Sequence, residues 1–154
     1  MTDAELLPVL LAQEQRLIFD RFDEQTAWDL GAAMRQSAST AGLPIVISVR
    51  RNGQRLFHAA LPGTASDNDA WIERKSAVVD RYGHSSYYVG CQFRARGGSF
   101  DEGARLDLDR FAAHGGAFPL TVRGAGVIGT IAVSGLPQVD DHAFVVAELE
   151  RFLW

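Results

Sequence analysis

The stretch His114–Gly135 reads HGGAFPLTVRGAGVIGTIAVSG and decides the fold. It contains the G-x-G-x-x-G spacing of a dinucleotide-binding loop, at Gly124, Gly126 and Gly129. Such a loop must lead directly into a helix, because the helix N-terminus binds the pyrophosphate. Here the glycines are followed by Thr130–Val133, a run rich in β-branched residues that favours a strand. We therefore predict two antiparallel strands, Ala117–Arg123 and Val127–Ser134, joined by a glycine turn.

Composition predicts one globular domain over residues 1–154, since 47% of the residues are hydrophobic and 22% are charged. A net charge of -4 and the absence of a basic run argue against a nucleic-acid partner. No apolar stretch approaches the roughly 20 residues that a membrane span needs. Cys91 is the only cysteine, and the N-terminus lacks a signal-peptide pattern. We therefore expect no disulfide framework, no membrane partner and a cytoplasmic location.

Helices are predicted from apolar periodicity and from helix-end signals. The predicted helices are Asp3–Gln15, Thr26–Ala41, Asp67–Tyr82, one that follows Ser85-Ser86, a short one near Leu108–His114, and a last one capped by Asp140.

A second strand pair is predicted around Asn52-Gly53, a strong signal for a two-residue hairpin turn. The strands would be Ile45–Arg50 and Gln54–Leu61, with Ile47 opposite His58. Both faces of this hairpin are largely apolar, which indicates that both are covered by other elements.

Arg16–Phe22 is a short apolar-rich segment and a further strand candidate. With it the count reaches five strands. The patterns therefore predict an α/β fold of the α+β type, in which a five-stranded antiparallel sheet is flanked by helices on both faces.

Lys75 is the only lysine of the chain, and it falls on the apolar face of its predicted helix, between Trp71 and Val79 at i, i+4 spacing. Two interpretations follow. The methylene stem could cover apolar surface while the ammonium reaches water. Alternatively, the ammonium lies in a pocket, where it binds an anion or has a lowered pKa. The spacing alone is compatible with both.

Two histidines form a second candidate group. His114 precedes Gly115-Gly116, where exposed backbone N–H groups could bind an anion or a carbonyl. His142 lies in the first turn of the last predicted helix. If the strands pair as predicted, the two histidines lie at the same end of the sheet and could be neighbours. The alternative is that each is a helix-end histidine bonded to nearby backbone.

No catalytic or metal motif accompanies these residues. A metal site built from His114, His142, Asp140 and Asp141 lacks the H-x-x-x-H or C-x-x-C spacing typical of such sites. Ser134 is not in a G-x-S-x-G elbow. We therefore predict neither a metal nor a nucleophilic triad.

Several strings together carry a family resemblance: DNDAWIERK at 67–75, SS at 85–86, HGGAFPL at 114–120, GTIAVSGL at 129–136 and QVDDH at 138–142. The sequence resembles the haem-degrading-domain family, which includes GlcG-like, HbpS-like and PduO C-terminal proteins. It is most similar to the small cytosolic branch, which has no settled reaction. The resemblance implies a profilin-like fold, with an antiparallel five-stranded sheet between helices, and assembly into homo-oligomers.

Some members of this family bind haem or corrinoids. No histidine precedes His58 in this chain, so its N-terminal helices offer no axial imidazole for such a cofactor. The ligand-binding positions that we carry over from the motifs are Lys75, His114, Gly115, Gly116, Phe118, Pro119, Ser134, Asp141 and His142.

These observations lead to a first functional hypothesis, an oligomeric domain that binds a small anionic ligand. Its pocket would be lined by Lys75, the Gly115-Gly116 backbone and His142. A second hypothesis is an enzyme that uses Lys75 or His142 as general base on a small hydroxy or keto acid. A third is a structural adaptor that docks other proteins.

Overall fold

A four-stranded antiparallel sheet forms the centre of the molecule, in a computed structural model that describes residues 1–154. The helices are α1 (Asp3–Arg16), α2 (Glu24–Thr40), α3 (Ser66–Tyr82), α4 (Ser86–Ala95), α5 (Phe100–Gly103) and α6 (Gln138–Leu153). The strands are β1 (Val46–Arg51), β2 (Gln54–Ala60), β3 (Ala117–Val122) and β4 (Gly126–Ser134). Their order in the sheet is β2-β1-β4-β3, so the two predicted hairpins pair through β1 and β4.

Helices cover both faces of the sheet, as predicted. The larger core lies between one face and the helices α2 and α6, and it includes Leu30, Met34, Ile47, Phe118, Ile131 and Leu149. The smaller core lies between the other face and α3, and it comprises Val46, Ile72, Val79, Ala117 and Ala132. Alternate residues of β1 and β4 enter the two cores, because successive side chains of a strand point to opposite faces. None of the helices has the length and hydropathy that crossing a membrane requires.

The predicted fifth strand, Arg16–Phe22, is wrong. Helix α1 continues to Arg16, and Asp23 already caps α2, so only a short connection remains between the two helices. Within it, Phe19 makes a single isolated bridge to Val122 at the edge of β3. The connection is too short to form a ladder, and the five-stranded sheet is therefore corrected to four strands.

The hairpin register is also shifted by one residue from the prediction. Ile47 lies opposite Ala59, and Val49 lies opposite Phe57. The pairing then skips Leu56, because a bulge interrupts β1 and β2 next to Val49. Since a bulge sets two residues of one strand against one of the other, a register counted outward from the turn fails beyond it.

Two predicted helix positions need correction. The segment Leu108–His114 is not a helix: a turn closed by the Phe111 N–H and the Asp107 carbonyl, 3.0 Å apart, leads into an extended segment. The last helix begins at Gln138 and not after Asp140. Its first turn is closed by the carbonyl of Pro137, which accepts the N–H of Asp140 at 2.9 Å.

The glycines of the G-x-G-x-x-G string have structural roles in the turn between β3 and β4 and in strand β4. Gly124 lies in the turn between β3 and β4 with a φ of 82°, a conformation that favours glycine. Gly129 lies inside β4, where a Cβ atom would overlap the carbonyl oxygen of Arg50 on β1. The first glycine thus permits the turn, and the last permits the close approach of two central strands.

Alanine substitutions distinguish these two roles. We expect Gly124→Ala to lower the free energy of unfolding by about 1 kcal/mol, because only backbone conformation is strained. Gly129→Ala should lower it by about 3 kcal/mol, because β1 and β4 must move apart. Urea denaturation of both variants measures the difference. Equal losses would contradict the assignment of Gly129 to strand packing.

Candidate functional site

A cavity of about 200 Å³ lies at the end of β4, between α3 and the start of α6. We call it the Trp71 cavity. Its lining residues are Asn68, Trp71, Lys75, His114, Gly115, Ser134, Gly135, Leu136, Gln138 and Asp141. The lining is predominantly polar. Five positions from the sequence-based site therefore come together in one place: Lys75, His114, Gly115, Ser134 and Asp141.

Lys75 lies at the base of this cavity with 2% of its surface exposed. Its Nζ donates to the carbonyl oxygens of Val133 at 2.7 Å and Gly115 at 3.1 Å, and to Oδ2 of Asp141 at 3.3 Å. Three acceptors match the three N–H donors of an ammonium group. The interpretation in which the ammonium reaches water is wrong, and no N–H of Lys75 remains for an anion.

Asp141 completes this buried pair. Its Oδ2 accepts from Lys75, and its Oδ1 accepts the backbone N–H of Leu136 at 3.1 Å. Burial raises the pKa of Asp141, and the Lys75 charge counteracts that shift. Burial likewise lowers the pKa of Lys75, and Asp141 counteracts it. Two carbonyl oxygens and Oδ2 of Asp141 form an acceptor set that matches an ammonium group, and we assign the pair as ammonium and carboxylate.

The Gly115-Gly116 turn is packed against Lys75 on one side and against the start of α6 on the other. A Cβ on Gly116, whose φ is 133°, would overlap Nζ of Lys75, and a Cβ on Gly115 would overlap the carbonyl oxygen of Gln138. The N–H of Gly115 already donates to Oε1 of Gln138 at 3.0 Å. Gly115 therefore cannot offer the free N–H that we expected for an anion.

His142 does not face the Trp71 cavity. Its Nε2 lies 2.8 Å from Oε1 of Gln13, and its ring packs near Tyr87 and Phe118. Because successive helix residues are about 100° apart, Asp141 and His142 point to different sides of α6. Burial lowers the pKa of His142 to about 4, so its imidazole is neutral at pH 7.

Four positions of the sequence-based site thus lie outside the cavity lining: Gly116, Phe118, Pro119 and His142. Phe118 is 1% exposed and belongs to the larger core. Gly115, the residue after His114, packs close to His142, since a Cβ on Gly115 would lie 3.2 Å from Cβ of His142. The ring of His114 packs instead on Trp71, with ring centroids 5.1 Å apart.

His114 stands at the mouth, between the Trp71 cavity and a second cavity of about 210 Å³. The two cavities share His114 and Gln138, and the second is also lined by Arg94 and Asp101. Burial lowers the pKa of His114, and the cations around it act in the same direction, whereas Asp101 opposes them. No group of three or more His, Cys, Asp or Glu side chains is arranged to hold a metal ion.

Sequence reasoning missed two amide side chains that line the cavity, Asn68 and Gln138. Oδ1 of Asn68 accepts the N–H of Ala65 at 2.9 Å, as Oε1 of Gln138 accepts that of Gly115. A signal for Asn68 existed, since Asn68, Trp71 and Lys75 are spaced i, i+3 and i+7 along one helix face. Gln138 had no comparable signal, because its role depends on a residue 23 positions earlier.

The antiparallel sheet with helices on both faces places the chain in the class of mixed α/β domains. Residues 22–150 match the family described as "Haem degrading protein HbpS-like". The chain belongs to this family, and the resemblance inferred from the motifs is confirmed.

Individual relatives place the chain more closely. It is 58% identical to a "UPF0303 protein" of Streptomyces avermitilis over 147 residues, which cover 96% of this chain and 90% of the relative. Among solved structures, the Ybr137w protein has 34% identity and a TM-score of 0.87, covering 95% of this chain and 86% of that one. A PduOC:Heme complex has 16% identity and a TM-score of 0.65, with 86% and 94% covered, which shows the shared fold alone.

Substitution of Lys75 tests the buried pair. Lys75→Met should lower the free energy of unfolding by about 3–5 kcal/mol, because it leaves the Asp141 carboxylate buried without a countercharge. The double variant Lys75→Met/Asp141→Asn should regain part of that loss. Guanidinium denaturation of the wild type, both single variants and the double variant gives the coupling between the residues. Additive effects would contradict a direct pair.

The neutral His142 predicts a pH dependence of stability. Its folded-state pKa of about 4 is below the unfolded value of about 6.5, so the unfolded chain binds the proton more tightly. The contribution of the neutral His142 to the free energy of unfolding is therefore fully present above about pH 6.5. It decreases by about 3 kcal/mol as the pH drops to about 4. Denaturation across this range should show a shallower loss for His142→Gln than for the wild type. Parallel profiles would contradict the buried neutral imidazole.

Proposed function

We propose that this chain binds a small carboxylate ligand in the Trp71 cavity, and that the oxygens of the ligand accept hydrogen bonds from N–H donors of the cavity. The observation that carries the proposal is the state of the two amides. Asn68 and Gln138 each use their acceptor oxygen on a backbone N–H, so each keeps its NH₂ donors for a ligand. A lining rich in donors matches a ligand rich in acceptors.

The charges around the cavity support an anion. The Arg74 guanidinium lies 4.0 Å from the centroid of the Trp71 ring, and Arg94 lines the adjoining cavity. Both cations act with burial to lower the pKa of His114, while Asp101 raises it. The charge of Lys75 is balanced by Asp141 and that of Arg94 by Asp3 at 3.4 Å, so Arg74 is the cation beside the cavity that has no carboxylate partner. Its guanidinium group suits a carboxylate geometrically as well.

The size of the cavity favours a small ligand. Pockets for drug-sized molecules have volumes of roughly 300–1,000 Å³, whereas this cavity has about 200 Å³. A haem, which a relative of the same fold binds, is at least drug-sized and largely apolar. The volume and polar lining of the Trp71 cavity do not fit it, and the imidazole of His142 is enclosed and bonded to Gln13.

The geometry favours binding over the proposed general-base chemistry. All three N–H donors of Lys75 have acceptors within the chain, and the ring of His142 opens into no cavity of the site.

The homo-oligomer implied by the family resemblance stays a prediction, for which light scattering is the direct test. Trp28 and Trp154 are exposed and available to such an interface.

Asn68→Asp is the sharpest test of the carboxylate proposal. The new carboxylate can still accept the N–H of Ala65, but it replaces the NH₂ donors with a negative charge. Calorimetric titration with acetate, glycolate and pyruvate should show saturable binding to the wild type, at least about tenfold weaker in the variant. Acetamide, the neutral counterpart of acetate, should bind more weakly than acetate.

Gln54→Glu is the matched control, because it adds the same charge on β2, away from the cavity lining. It should leave the affinities unchanged. The proposal fails if the wild type binds none of the three carboxylates, or if Asn68→Asp binds them as tightly as the wild type.

A further inference from the structure

A separate groove of about 450 Å³ lies on the other side of the sheet, between the end of α2 and α6. We call it the Glu148 groove. Its lining residues are Gln36, Ser37, Thr40, Ala41, Leu43, Phe144, Glu148 and Arg151. It shares no residue with the Trp71 cavity. An inference from this groove is therefore independent of the proposed carboxylate site.

Glu148 is the unusual member of this lining. It is 4% exposed, and its Oε1 is buried without a hydrogen-bond partner. The nearest cation is the guanidinium of Arg151, whose Nη1 lies 3.6 Å from Oε1, too far for a hydrogen bond. The side chain of Arg151 is 68% exposed, so it holds this position weakly. A buried carboxylate oxygen that lacks a donor is unfavourable unless something else supplies one.

The end of α2 adds to the negative potential of the groove. The C-terminus of a helix carries a partial negative charge, which basic residues commonly balance. The last turn of α2 contains no basic residue. The hydroxyl group of Ser37 offers a further acceptor oxygen beside it, and Oγ1 of Thr40, which accepts from Nε2 of Gln36 at 3.2 Å, keeps a second lone pair. A cation that carries N–H donors would satisfy these groups together.

The apolar residues of the lining indicate which group the cation carries. Leu43 and Phe144 are apolar and partly buried against the larger core. An alkyl chain could pack on them while its charged end meets Glu148, and the ring of Phe144 also favours a nearby cation. We propose that the Glu148 groove is a binding site for a small primary alkylammonium ion, with Glu148 as its countercharge and Arg151 as a displaceable occupant.

The test is a titration of the full chain with butylammonium chloride, followed by amide chemical shifts in NMR spectra. Saturable shifts should map to the end of α2 and to α6. Glu148→Gln keeps the shape of the side chain and removes its charge, so the affinity should fall at least tenfold. Arg151→Gln removes the competing cation, so the affinity should rise severalfold. 1-Butanol, which has the same alkyl chain without the charge, should bind more weakly.

Glu150→Gln is the matched control, since Glu150 lies on the same helix and pairs with Arg16 instead. It should bind butylammonium like the wild type. The proposal is overturned if neither the wild type nor Arg151→Gln shows saturable shifts, or if Glu148→Gln binds unchanged. It is also overturned if Glu148→Gln dissociates an oligomer in light scattering, because the cation would then come from a second copy of the chain.

Discussion

The buried ammonium of Lys75 is the interaction on which the rest of the site depends. It connects α3 to the Gly115-Gly116 turn, to the last residues of β4 and to Asp141 at the start of α6. A charge in this position is tolerated because all three of its donors find acceptors and a countercharge. The same contacts explain Gly116, since a Cβ there would collide with Nζ of Lys75, whereas a Cβ on Gly115 would collide with the carbonyl oxygen of Gln138. The cavity above it exists because these elements are held at these distances.

This pair also determines the chemistry that remains available above it. Since Lys75 and Asp141 satisfy each other, the base of the cavity is electrically balanced, and the carboxylate that we propose would instead meet the amides of Asn68 and Gln138. The Glu148 groove shows the opposite situation, where a buried charge is left without a donor. The buried Lys75–Asp141 pair has hydrogen-bond partners, whereas Oε1 of Glu148 has none. The two groups lie on opposite faces of the same sheet. The ligands that we propose for the two faces therefore have opposite charges.

The sequence predicted the elements whose causes are local. The β-branched run after Gly129 indicated a strand, and Asn52-Gly53 indicated a turn, because both signals act within a few residues. The strand expected at Arg16–Phe22 does not form because α1 extends to Arg16 and α2 is capped by Asp23, and the sequence did not reveal where these helices end.

The residues of the candidate site were predicted in part. The spacing of Lys75 placed it on the apolar face of its helix but left open whether its ammonium is buried, because its acceptors lie 40, 58 and 66 residues away. His142 was wrongly assigned to the same site as Asp141, because the side chains of two consecutive helix residues point in different directions.

The burial of Lys75 has a consequence for the reactivity of the folded chain. Every other basic side chain is an arginine or a histidine, so the folded chain presents no lysine amine to solvent. Acylating reagents, which attack an unprotonated amine, can reach this side chain only when the surrounding elements separate. When reclosing is faster than acylation, the rate of modification at Lys75 is proportional to the population of that open state, which makes a single natural residue a chemical reporter of the free energy that holds the sheet, α3 and α6 together.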